Sequence, residues 1–128
     1  MVNSRGWIIF YLSEYISSNA TEGHIAFGAC YSDYNLYMLK YLFENYEIDV
    51  NMRSIKDNQE TMLMKTVQNG GAIKICEYLL SQGADKSLLN NEGQTVYDIA
   101  LIQLNMAIER NNLDRIESLN NIINLLKD

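Results

Sequence analysis

The side chains best suited to chemistry are few: one histidine, His24, two cysteines, Cys30 and Cys76, and the carboxylate pair Asp57 and Glu60. A Cys–His nucleophile pair needs thiol and imidazole in contact, with an oxyanion site beside them. His24 is expected near the start of a helix, and Cys30, six residues on, falls on a different helical face. His24 therefore reads as a capping or surface residue, and Asp57 and Glu60 as turn and helix-start residues. The chain has no Gly-rich phosphate loop, no C-x-x-C and no H-E-x-x-H, so neither a metal nor a nucleotide nor any other cofactor is expected. Both cysteines fall on apolar faces and read as small buried hydrophobes rather than as a disulfide, which suits a reducing cytoplasm. A non-enzymatic chain is the expectation.

Binding has more to draw on. Between Tyr11 and Asp49 stand six acidic residues, Glu14, Glu22, Asp33, Glu44, Glu47 and Asp49, against one base, Lys40. The same stretch holds seven of the nine tyrosines. Tyrosine gives a large contact area at low entropic cost, and negative charge speeds encounter with a basic protein. Tyr11, Tyr15 and Tyr31 are expected at packing positions, which leaves Tyr34, Tyr37, Tyr41 and Tyr46, with Glu44 and Glu47, as candidate partner-binding residues.

These residues must be positioned by helices. Between Ile73 and Leu80 the apolar Ile73, Cys76, Leu79 and Leu80 share one helical face, with Lys74, Glu77 and Ser81 off it. Gly83 stands where a helix ends in a left-handed residue. Thr61 and Thr95 can each cap a following helix. Thr61 to Asp85 closes in Gly83-Ala84-Asp85, and Thr95 follows Thr61 by 34 residues. With Thr61 and Leu63 at two positions of a T-P-L-H-x-A opening, Gly70 at the turn and Leu79-Leu80 ending the second helix, this stretch resembles an ankyrin repeat, whose period is about 33. The extra residue is placed at Gly70-Gly71. The chain has no proline, and Met62 and Val96 stand where the family usually has one.

A helix pair of this kind cannot bury its stripe alone and needs neighbours on both sides. The fold expected is an all-α ankyrin-repeat solenoid, one domain of about three helix-turn-helix repeats. Residues 7–18 form an N-terminal capping helix, 22–50 a degenerate repeat, 57–86 the best-matching repeat and 91–127 a C-terminal capping repeat. In the degenerate repeat, Leu36, Leu39, Leu42 and Phe43 repeat the spacing of the Ile73 stripe. In the last, apolar residues continue through Leu101, Leu104, Ala107 and Ile108, and a final helix carries Leu119, Ile122, Leu125 and Leu126, giving a lengthened hairpin that covers the end of the core.

Asp49 precedes Thr61 by twelve positions whereas Asp85 precedes Thr95 by ten, so the first finger carries two additional residues and should project further. In the family the partner usually docks on finger tips and the exposed face of each first helix. The resemblance therefore implies Met52, Arg53, Ile55 and Lys56 on the first finger, Leu89, Asn91 and Glu92 on the second, and Lys65, Gln68 and Asn69 between them.

With 48% apolar and 20% charged residues the whole chain is expected to fold, and no apolar run reaches the ~20 residues of a membrane span. The net charge of −6 argues against nucleic acid, which needs a basic surface. The expected function is that of a cytoplasmic protein-binding module, monomeric when free, acting as a stoichiometric inhibitor or immunity-type protein that masks a basic partner such as a toxin domain. Two alternatives stay open: a pathogen or viral protein capturing a host factor, and a self-associating scaffold subunit.

Overall fold

A computed structural model describes residues 22–54, 58–69 and 72–127, the side chains of 22–24 and 69 excepted. The proposed capping helix at 7–18, with Glu14, Tyr11 and Tyr15, lies outside the described residues, as do Ile55, Lys56, Asp57, Gly70 and Gly71, and the side chains of His24 and Asn69.

Among the described residues six helices come in three pairs: α1 (Glu22–Ala29) with α2 (Leu36–Asn45), α3 (Met62–Asn69) with α4 (Ile73–Ser81), and α5 (Val96–Glu109) with α6 (Leu113–Leu126). A short 3-10 turn, Asp33–Asn35, leads into α2. The first helices α1, α3 and α5 pack in one row and α6 packs on α4 behind them. Among the described residues there are no strands, only an isolated antiparallel bridge between Arg53 and Thr61. This is the all-α solenoid expected.

α3 sits mid-row, so it is enclosed nearly all round: Met62, Leu63, Met64, Thr66 and Val67 are all buried. Burying each of its large apolar side chains stabilises the fold by about 1.5–3 kcal/mol. Its start is capped by Thr61, whose Oγ1 accepts from the Met64 N–H at 3.3 Å. α5 begins with a capping box in which Thr95 Oγ1 accepts from the Asp98 N–H and an Asp98 carboxylate oxygen accepts from the Thr95 N–H. α4 ends in a Schellman motif on Gly83, at φ +94°, with Ala84 N–H bonded to the Leu79 carbonyl. α5 ends the same way on Asn111, at φ +54°.

Three expectations about packing are corrected. On α4 the buried residues are Ile75, Cys76 and Leu79, while Ile73 and Leu80 are half-buried, because the helix is pressed between α3 and α6 and the inner arc turns toward both. Leu101 and Ile108 are exposed, since α5 packs chiefly on α3 and α6 and buries Val96, Ile99, Ala100 and Ala107 instead. Tyr31 is not a packing residue: it stands 58% exposed on the turn after α1.

Candidate protein-binding surface

The residues of the tyrosine-rich stretch do not form one patch. Tyr34 is 97% exposed and Tyr37 45%, and both stand with Tyr31 at the start of α2. Glu44 and Glu47, both exposed, stand at its other end with half-buried Tyr46. Tyr46 lies nine positions after Tyr37, just past the end of α2, so the helix sets them about 13 Å apart along its axis. Half-buried Tyr41 lies between, its ring edge-on to Tyr46 at 6.4 Å. An open groove at the Glu47 end is lined by Phe43, Tyr46, Ile48 and Val50, with the carboxylates of Glu47 and Asp49 and the side chain of Gln82.

α2 is tied to the next repeat by aromatic contacts. Phe43 meets Tyr78 edge-to-face at 5.7 Å, and the Lys40 ammonium lies 5.7 Å from the same ring. Burial, and secondarily the charge of Glu44, raise the Tyr78 hydroxyl above its ordinary pKa.

Two of the acids counted as surface charge have structural work. Asp33 Oδ1 accepts from the Lys74 and Ile75 N–H groups at 3.0 and 3.2 Å, capping α4 of the following repeat from outside it. Asp49 Oδ1 accepts from the Asn51 N–H at 2.9 Å, and Asp85 does the same for Ser87 at 2.8 Å. Asn51 in turn spans to the next repeat, accepting from the Asp85 N–H at 2.8 Å and donating to the Gly83 carbonyl at 3.4 Å.

The described part of the first finger folds back rather than projecting. Ser54 N–H bonds the Glu60 carbonyl at 2.8 Å, and Asn58 and Gln59 have φ of 59° and 53°. Met52 is half-buried against the core. Arg53, expected to reach outward, donates through Nη1 to the Gln59 carbonyl at 3.1 Å and to the Leu89 carbonyl of the second finger. A guanidinium has five N–H donors, and here one of its nitrogens bonds a carbonyl of each finger. Asn58 adds two ties, accepting from the Asn91 N–H at 3.0 Å and donating to Glu92 Oε1 at 3.2 Å. The fingers thus present one cross-linked edge on which Leu89, 49% exposed, stands beside exposed Asn91 and Glu92. On α3, Lys65 and Gln68 are half-buried, and the Gln68 carbonyl accepts from Arg115 at 3.0 Å.

Sequence reasoning missed Asp33, Asn51 and Arg115, whose partners lie between 32 and 47 residues away. The one available signal is the near-repeat spacing of Asn51 and Asp85.

The thiols are chemically quiet. Burial, opposed by a hydrogen bond with Thr66, pushes Cys30 up to about 11 from the ordinary 9.0. Cys76 is pushed to about 12 by burial and, to a lesser degree, by the charge of Asp33. A thiol held this far above neutrality carries almost no thiolate, the form that attacks or binds metal. Among the described residues no group of three His, Cys, Asp or Glu side chains is placed to hold a metal ion, and no helix is long and apolar enough to cross a membrane.

No curated protein is significantly similar to this chain. A family model described as ankyrin repeats (3 copies) matches residues 26–119. Since that span covers most of the 128 residues and the paired helices follow its pattern, the chain belongs to the ankyrin repeat family, whose repeats form protein-interaction modules.

Proposed function

We propose that this protein-interaction module works by masking a basic partner, one to one and without a reaction, as an immunity-type inhibitor does. The observation that carries the proposal is an acidic chain, net −6, whose exposed large apolar side chains include Tyr31, Tyr34 and Tyr37 on the same repeat as exposed Glu44 and Glu47. The imbalance of charge is sharpened by where the cations go. Arg53, Lys86 and Arg115 donate to backbone carbonyls rather than standing clear in solvent. Carboxylates therefore dominate what an approaching protein meets, and a basic partner is steered by them while tyrosine supplies contact area. The finger edge at Leu89, Asn91 and Glu92 is the second surface offered to the same partner.

The test is capture of partner by wild type, by Tyr34→Ala/Tyr37→Ala and by Glu44→Lys/Glu47→Lys, each at low and high salt. Recovery of one basic protein in equimolar amount, lost with charge reversal and weakened by salt, supports the proposal. A partner held with equal strength by the charge-reversed variant and in high salt overturns it.

A further inference from the structure

The terminal hairpin leaves large apolar side chains uncovered. Among the described residues nine large apolar side chains are exposed, and five of them stand on α5 and α6: Leu101, Ile102, Met106, Ile108 and Leu113. A capping repeat needs a polar outer face to keep a solenoid soluble, and a cluster of exposed apolar side chains marks a contact site. At roughly 100° per residue, Leu101 and Ile108 fall on one flank of the exposed side of α5 and Ile102 and Met106 on the other. Asp98, Asn105 and Glu109, all exposed, fall in the strip between them. Asp114 and Glu117 add exposed carboxylates on α6. Arg110 is the one exposed cation between Val96 and Leu126, because Arg115 is folded onto the Gln68 carbonyl and Gln103 Oε1.

We infer that this apolar–acidic–apolar face binds a basic amphipathic helix of a partner protein. Its lysines or arginines would lie over Asp98 and Glu109, with its apolar residues against the two flanks. Charge complementarity selects this occupant over a second copy of the chain, whose hairpin bears the same carboxylates and is repelled. The inference shares a basic partner with the proposed function but needs neither the tyrosines nor Glu44.

The test titrates a labelled Leu/Lys amphipathic helical peptide, with a Leu/Glu peptide of the same pattern as control, onto the full chain by fluorescence anisotropy. The Leu/Lys peptide should bind wild type, and Ile102→Ser/Met106→Ser and Glu109→Lys should each weaken it about tenfold. The Leu/Glu peptide should not bind. Because the three substituted residues are exposed, circular dichroism should show each variant folded. Three results overturn the inference: binding unchanged by both hairpin variants, binding lost only with Tyr34→Ala/Tyr37→Ala, and a concentration-dependent dimer that Ile102→Ser/Met106→Ser makes monomeric. The second leaves the proposed function standing. Conversely, failure of the charge-reversal capture at Glu44 and Glu47 leaves the hairpin inference standing.

Discussion

Replacing Asp33 with alanine separates two roles for one carboxylate, inter-repeat cap and surface charge. Its Oδ1 accepts two backbone N–H groups at the start of α4, where the helix's own cap position is Ala72 with no side-chain acceptor. Loss of a side-chain cap costs about 1 kcal/mol, within a range of about 0.5–2. Loss of negative charge at a helix N-terminus adds about 0.3–1 kcal/mol. Asp33→Ala should therefore destabilise by about 1.5–2 kcal/mol, whereas Asp33→Asn, which keeps an acceptor oxygen, should cost about 0.5. At this chain length 1 kcal/mol moves Tm by about 4 °C, so the two variants should melt about 6–8 and 2 °C below wild type. Thermal and urea unfolding, followed by circular dichroism at low and high salt, measures both parts. Salt should shrink the charge contribution and leave the acceptor contribution, so the gap between the variants survives. A variant Asp33→Ala within about 0.3 kcal/mol of wild type, or an Asp33→Asn equally damaging, would show that Asp33 is no cap and would return its charge to the surface offered to a partner.

The remaining predictions concern the helix ends and the thiols. Asn111→Gly should stabilise by about 0.5–1 kcal/mol and Gly83→Ala destabilise by about 1, because the same left-handed cap position is strained for a side chain; equal and negligible shifts in urea midpoint would remove the strain from α5. Cys30 and Cys76 ionise at about 11 and 12 when folded against an ordinary 9.0, so above pH 9 the unfolded chain releases protons that the folded chain keeps. Their contribution is full below about pH 9 and falls as pH rises, by up to about 1.4 kcal/mol per pH unit for each thiol, a slope that Cys30→Ala/Cys76→Ala should remove in urea unfolding.

Local chemistry was what the sequence could disclose. Thr61, Thr95 and Gly83 announce helix ends because their effect is exerted within three or four residues of themselves, and the Cys76–Leu79 spacing announces a buried face for the same reason. Ile75 escaped because a helix held between two neighbours buries a wider arc than a single stripe, a property of α3 and α6 rather than of α4. Tyr31 escaped for the opposite cause: it follows α1 on a turn, where helical periodicity no longer predicts direction.

The residues hardest to read share another trait, that a polar side chain closes a gap left in a different repeat. Ala72 leaves the N–H groups of α4 open, and Asp33 fills them from 41 and 42 residues away. Arg53 does the same for the carbonyl of Leu89, 36 residues on. Each such bond removes a charge from the surface that composition alone would assign to a partner. Among the described residues, exposed Glu44 and Glu47 at the end of α2, Glu77 on α4, and Glu109, Asp114 and Glu117 on the terminal hairpin remain as surface charge. A basic partner of the kind proposed would then be steered from more than one face, and a variant that neutralises one face should leave electrostatic steering by the others in place.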